Sequence, residues 1–494
     1  MSRLFLFAIG GTGSRVVKSL TMLMASGVIL KGIDDVVPII IDPDSSNGDL
    51  TRTVDILKEY KSIHRNSSDA KSDFFKTKIS SLDEINDENN FTSDTFTFDI
   101  DGVKNEIFRD FIGYSELSLT NKSLVSGLFS NKNLDADMQV GFKGNPNIGS
   151  VVLNKFKDTT FFTKFASSFQ QNDRIFIISS IFGGTGAAGF PLILKNIRDA
   201  DNSVPKHDFL RKSKIGAVTV LPYFGVDKST ASSIDSNTFT SKTIAALKYY
   251  ADNISDNKSI NALYYIGDNQ SNDQSASDGS TEQKNKAHFV ELAAALSIVD
   301  FVSIPDIELQ FENGQAVSPR YFEYGLKEET NDIKFSHLSN RTYELIAKPL
   351  TKYSLFKTYM DMHYEESCKN LKMPHIYNGV NKLSKEFLDF RLRDNINLFN
   401  KQFEDWIFEM KSSNVSFFPL DISLNGKNIY NQVVGSPVKK SMINKIISGD
   451  GLINYIGKLN KYEPDFDNLE PTKKLLSLFS FVTEKIVNNE IKIS

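Results

Sequence analysis

The chain has 494 residues, 40 % hydrophobic and 24 % charged, which excludes a disordered chain, a collagen-like fibre and a membrane bundle and leaves room for roughly two to four domains. With Lys+Arg at 57 and Asp+Glu at 61 the net charge is −4, so no nucleic-acid partner is expected. Cys368 is the single cysteine and the six histidines show no HxxxH or HxH spacing, which argues against a disulfide and against a thiolate or histidine metal site, and makes a reducing, cytoplasmic location the expectation.

In chain order, Leu4–Ile9 reads as a buried strand. Its apolar run is too short for a signal peptide and glycines follow at once. Gly10–Gly13 is a turn and Ser14–Ala25 a helix with Val17, Leu20 and Met24 on one face. Val36–Ile41 is apolar on both faces, as a covered parallel strand must be. Residues 61–105 are rich in Ser, Asp and Asn and read as an insertion or mobile loops. Ile175–Leu194 carries no charge, yet Gly183, Gly184, Gly186, Gly189 and Pro191 suit strand, turn and buried helix better than a membrane span. Arg174–Ser180, Ile215–Leu221 and Ala262–Ile266 are further strands, 269–283 a polar loop, and 287–302 a helix apolar on most sides. This alternation predicts an α/β fold, a doubly wound parallel sheet. Beyond it, 303–335 reads as a hairpin-rich connector and 381–411 as a long helix. The stripe Leu388, Leu392, Ile396, Phe399, Phe403, Trp406 and Met410 on that helix reads as core. Residues 415–434 have strand character and the remainder is mainly helical. The expected division is 1–302 and 303–494.

Glycine lets a backbone approach a ligand that a Cβ would strike, and a helix start behind such a turn offers free N–H groups to phosphate. Three clusters have that character: Gly10-Gly11-Thr12-Gly13-Ser14-Arg15, Gly141 to Gly149, and Gly183-Gly184-Thr185-Gly186-Ala187-Ala188-Gly189. Thr12, Ser14 and Thr185 add hydroxyl donors. Asp42 and Asp44 follow the second strand, where ligands of parallel sheets bind, and Asp44 is a candidate Mg²⁺ ligand. A competing reading, a Rossmann-type dinucleotide-dependent enzyme, uses the first turn and Asp42 on a ribose. Val16 stands where its third glycine belongs, and the 183–189 cluster has no part in it.

Taken in order, the loops resemble the tubulin/FtsZ superfamily. Gly10–Ser14 is similar to its first phosphate loop and Asp42–Asp44 to its acidic loop. Gly144-Asn145-Pro146-Asn147-Ile148-Gly149 resembles the FtsZ loop G-N-P-x-x-G, and Phe182-Gly183-Gly184-Thr185-Gly186-Ala187-Ala188 the signature G-G-G-T-G-[ST]-G, with Phe182 and Ala188 in place of its first and last glycines. Ala217–Phe224 resembles the ribose-side segment, and Ala262–Asn269 the strand leading to the base. The helix 287–302 resembles the central helix.

This resemblance, over 1–302, implies a GTPase-type domain of a divergent bacterial tubulin-like protein that binds GTP or GDP with Mg²⁺. Gly10, Gly11, Thr12, Gly13, Ser14, Gly144, Asn145, Gly183, Gly184, Thr185, Gly186 and Ala187 then surround the phosphates. Asn269 reads the base, and His288 or Phe289 lies beside it. It also implies head-to-tail self-assembly, with slow hydrolysis completed by an acid of the neighbouring subunit. Asn331-Asp332-Ile333-Lys334-Phe335 resembles the family's N-x-D-F. Aligned on Asn331 the acid is Asp332; aligned on Phe335 its place is taken by Lys334. The alternative is a non-polymerising, nucleotide-sensing subunit of a larger complex, partnered through the C-terminal region.

Overall fold

A computed structural model of the chain describes residues 2–44, 46–68, 70–86, 93–98, 103, 106–138, 142, 145–226, 237–268, 271–274, 284–324, 330–369, 375, 390–413, 415–422, 426–435, 451–491 and 493. The predicted site residues Gly144 and Asn269 lie outside the described residues, as does Leu388.

The first strand, β1 (Arg3–Ile9), is buried along its whole length and runs straight into α1 (Gly10–Ala25). β2 (Asp35–Ile41) is equally buried and leads to α2 (Gly48–Ser67). Two short strands, β3 (Lys78–Ile79) and β4 (Thr97–Phe98), both pair with β2. The expectation of an insertion or loops over 61–105 is thereby corrected where α2, β3 and β4 lie, while 69, 87–92, 99–102 and 104–105 lie outside the described residues. Ile56, Leu57, Tyr60 and Ile63 are fully buried at helical spacing, so α2 runs on to Ser67 under a polar exterior.

The chain then forms α3 (Pro146–Leu153), α4 (Thr160–Ser168), β5 (Arg174–Ser180) and α5 (Gly184–Arg198). β6 (Lys214–Val220), β7 (Ala262–Ile266) and α6 (Phe289–Ser303) follow. A further strand, β8 (Arg320–Glu323), lies past residue 302 yet joins the same sheet beside β7. The order is β8-β7-β6-β5-β1-β2-β3, with β4 also on β2. Every pairing is parallel.

Alternate residues of the strands serve the two faces. Phe5 and Phe7 meet Phe165 of α4, at 5.1 Å in each case. Phe176 meets Phe301 of α6 at 5.4 Å. Helices thus cover both faces, the doubly wound arrangement. Its strand order reverses between β1 and β5, and in such sheets ligands bind beyond the carboxyl ends of the strands at that reversal.

The C-terminal region closes over this layer. A short parallel pair, β9 (Asp332–Ile333) with β10 (Ser416–Phe417), flanks α7 (Asn340–Met362) and α8 (Phe390–Lys411). Among the described residues, the strand character expected over 415–434 reduces to β10 and one bridge between Leu420 and Val433, beside a 3₁₀ segment at Gly426–Gln432. The aromatic stripe of α8 is core. Leu392, Ile396, Phe399, Phe403, Trp406 and Met410 are fully buried, and the Trp406 indole donates to Ser19 Oγ of α1 at 3.1 Å. The last helices, α9 (Gly451–Tyr462) and α10 (Pro471–Asn489), complete the layer, with Phe479 of α10 4.9 Å from Tyr359 of α7. Among the described residues no helix is long and apolar enough to cross a membrane.

Candidate functional site

Two helices begin side by side at the sheet reversal, and neither has a side-chain cap. α1 starts directly from β1, with Ile9 at its N-cap, and α5 starts from β5 with Gly183 there. The first turns of both lack any acidic residue. Orphan N–H groups and the positive end of each helix are therefore open to an anion. The two starts meet. Gly10 has φ +70°, a conformation that favours glycine, and a Cβ there would lie 3.8 Å from the Cβ of Thr185. Clusters roughly 170 residues apart in the sequence thus close on one spot.

The glycines behind the loops answer to packing. A Cβ on Gly13 would sit 2.6 Å from the carbonyl carbon of Ala8, and one on Gly186 2.5 Å from the carbonyl oxygen of Ser180. Each helix can press on the end of its own strand only with hydrogen at that position. The third cluster joins through α3. A Cβ on Gly149 would lie 2.9 Å from the Gly184 carbonyl oxygen and 3.1 Å from the Cβ of Ala188. Ala188, which replaces the last glycine of the signature, packs toward α3. Asn145 caps α3 through its side-chain oxygen, which accepts from Asn147 N–H at 3.0 Å. Phe182, which replaces the first glycine, is buried with its ring 6.3 Å from that of Tyr223. Gly183, Thr185 and Ala187 are half-buried along α5, as is Gly11 at the start of α1.

The acidic loop closes the next side. Asp42 Oδ1 accepts from the Asp44 backbone at 3.1 Å, and Asp44 Oδ1 accepts from the Ser46 hydroxyl at 2.6 Å. Burial, reinforced by the charges of Asp44 and Asp49, pushes the Asp42 carboxyl up to about 7. Two buried carboxylates crowded this way fit a divalent cation that takes its other ligands from phosphate and water. No group of three or more His, Cys, Asp or Glu suited to a metal occurs among the described residues.

Behind the first loop is a buried charge network that sequence reasoning missed. Arg15 donates to Asp49 at 2.7 Å, to Glu291 at 2.5 Å and to the Tyr223 hydroxyl at 2.8 Å. Its second Nη lies 3.4 Å from Thr12 Oγ1. Burial opposes the charge on Arg15, but Tyr223, Glu291 and Asp49 outweigh it and hold the guanidinium well above its ordinary value. Tyr223 also donates to Glu291 at 2.6 Å and lies 5.0 Å from the His288 ring. His288 and Glu291 cap α6 reciprocally.

The network continues to the C-terminal region. Glu409 of α8 accepts from Lys18 at 2.9 Å, Arg52 at 2.5 Å and the Ala287 backbone at 2.8 Å. Although burial raises its carboxyl, Lys18 and Arg52 hold it below the usual range. One signal was present in the sequence: Glu291 is a lone carboxylate in the apolar opening of α6, and such a group needs a buried partner.

The remaining predicted residues lie elsewhere. Phe289 is buried with its ring 5.1 Å from Phe417 of β10 and 6.1 Å from Tyr324. His288, not Phe289, shares the aromatic cluster with Tyr223 and Phe182. Asp332 is exposed on β9, paired in register with Ser416.

No family model matches the chain, and no curated protein matches it. Among solved structures it is similar to CetZ2 from Haloferax volcanii, described as a GTPγS-bound protofilament. The identity is 12 % and the TM-score 0.30, over 62 % of this chain and 60 % of that one. It is also similar to CetZ from Methanosaeta thermophila strain DSM 6194, at 12 % identity and TM-score 0.23, over 61 % of this chain and 51 % of that one. The chain thus spans less than two thirds of either protein's length.

Proposed function

We propose that this chain is a tubulin/FtsZ-like protein that binds GTP, with the phosphates seated where α1 and α5 begin. The observation that carries this is the meeting of two uncapped helix starts, free of acidic residues, at the reversal of a parallel sheet. Gly10, Gly11, Thr12, Gly13, Ser14 and Gly183 to Ala187 supply the donors, and Asn145 belongs to the loop beside them. Asp44, with Asp42, holds Mg²⁺, which neutralises phosphate charge when bound. Tyr223, Phe182 and His288 offer an aromatic side for ribose and base. Guanine as the base, head-to-tail assembly and hydrolysis completed by Asp332 of a neighbouring copy rest on the resemblance of the loops.

A second reading, a non-polymerising nucleotide sensor, draws support from Lys334 beside Asp332 and from the pairing of β9 with β10, which fixes the segment within its own chain. The decisive experiment extracts the ligand from purified protein and identifies it by mass, then follows light scattering with GTP and with GDP. Bound guanine nucleotide is expected. GTP-dependent growth in scattering supports assembly, and a monodisperse nucleotide complex supports the sensor. Recovery of NAD or FAD would overturn the proposal in favour of the dinucleotide enzyme.

A further inference from the structure

The far edge of the sheet carries a second cavity. α5 has 15 residues and spans about 20 Å, so its C-terminal end lies on the side opposite the glycine loops. There a cavity of about 720 Å³ opens between the end of α5, the segment 208–212, the turn 249–259 and the hairpin 311–314. That volume lies in the range of small-molecule sites. Four cations line it: Lys195, Arg198, Arg211 and Lys212. None of them is in an ion pair among the described residues. The acids at the cavity are Asp199 and Asp208, both exposed, and Asp208 lies 3.6 Å from His207.

Arg198 is the centre of this group. It makes four hydrogen bonds, all to neutral oxygens: Ser259 at 2.8 Å, Arg211 at 2.9 Å, Ser213 at 2.8 Å and the Asn261 side chain at 3.1 Å. Its guanidinium also lies 3.6 Å above the Phe311 ring. Desolvation without a counter-charge pulls it down to about 9. The wall opposite contains a π-helical turn, Ala251–Ser255, a form that recurs at functional sites. Lys258 and Asn313, both non-glycine residues with positive φ, flank the cavity.

We infer that this cavity is a binding site for a small polyanion, held by Arg198 at its base and by Lys195, Arg211 and Lys212 around its rim. The lysines and Arg211 are exposed, so they can close on a ligand without repacking the core. The anion supplies the counter-charge that Arg198 lacks.

The test is hydrogen exchange by mass spectrometry on the full chain, titrated with pyrophosphate and, separately, with citrate. Saturable protection is expected at 208–213 and 251–259. Protection by pyrophosphate alone identifies a phosphate ligand, and protection by both identifies charge as the determinant. The double reversal Arg211→Glu/Lys212→Glu is expected to shift the half-point by about tenfold or more, and Lys195→Glu, also at an exposed position, to shift it in the same direction. The same spectra report on the loops at 10–15 and 183–187. Protection confined to those loops, protection unchanged in the variants, or none at either edge would overturn the inference.

Discussion

The two edges of the sheet carry positive potential in opposite ways. At the glycine edge the nearby side-chain cations are neutralised internally: Arg15 by Asp49 and Glu291, Lys18 and Arg52 by Glu409. What remains for a ligand is the field of backbone amides at two helix starts. At the far edge the backbone presents carbonyls and the negative end of α5, and the positive charge comes from four side-chain cations that stand without ion pairs among the described residues. The contrast teaches that counting charges in a cleft misleads; what matters is which charges the fold has already spent. It also assigns each edge its sensitivity. Paired charge near the loops supports the fold, whereas unpaired charge at the far edge is available to a ligand.

The sharpest way to break that contrast is to remove one partner from each edge. Arg15→Ala leaves Glu291 buried without a cation and Asp49 with only Arg52 at 3.3 Å, and its cost is expected at about 3–5 kcal/mol in urea unfolding. Arg211→Glu, at an exposed position, is expected to change stability by less than about 0.5 kcal/mol. Equal costs would erase the distinction.

The legibility of the two edges follows the same division. β1, β2, β5, β6 and β7 could be read because a strand covered on both faces writes a continuous apolar run. The glycine loops could be read because a helix start behind a tight turn is a local pattern. Glu291 signalled a buried partner, but which one could not be read: the partners of Arg15 lie 34, 208 and 276 positions away. The far cavity gathers four separate segments in the same manner. Where β3 and β4 were missed, two residues of strand within polar sequence gave no periodicity to detect.

The next largest effect concerns pH at the acidic side of the glycine edge. An aspartate titrates near 3.9 in an unfolded chain, whereas burial raises Asp42 to about 7 in the fold. The folded state therefore holds the proton more tightly. Below about pH 4 both states are protonated and the group has no effect on stability. As pH rises from there the folded state loses stability, and the full penalty, on the order of 4 kcal/mol, is reached above about pH 7. Melting of wild type against Asp42→Asn from pH 5 to 8 should show the gap widening in favour of the variant. A constant gap would mean that Asp42 titrates normally.

A smaller effect separates glycines needed for packing from those facing the ligand. Alanine usually stabilises a helix relative to glycine. At Gly186 the new Cβ would meet the Ser180 backbone at 2.5 Å and 2.8 Å, which has nowhere to go. Gly186→Ala is expected to cost about 1–3 kcal/mol. At Gly183 the nearest atom is the Ser180 hydroxyl at 3.0 Å, which can rotate, so Gly183→Ala is expected to cost less than about 1 kcal/mol. Thermal melts of the pair decide it.

The smallest stability effect tests the glycine edge most directly, because it separates the fold from its ligand. Thr185 is half-buried in the first turn of α5, which has no side-chain cap and no acid. An aspartate there faces the positive end of the helix, so Thr185→Asp is expected to stabilise the free protein by about 0.3–1 kcal/mol. The same carboxylate occupies the field that a phosphate would use and repels it. Nucleotide affinity, measured by titration calorimetry with GTP and Mg²⁺, is therefore expected to fall by at least about tenfold while the melting temperature rises. A loss of affinity accompanied by a loss of stability would point to a disturbed fold. Unchanged affinity would place the triphosphate somewhere other than the helix starts and would remove the basis for treating the glycine edge as an amide-built anion site.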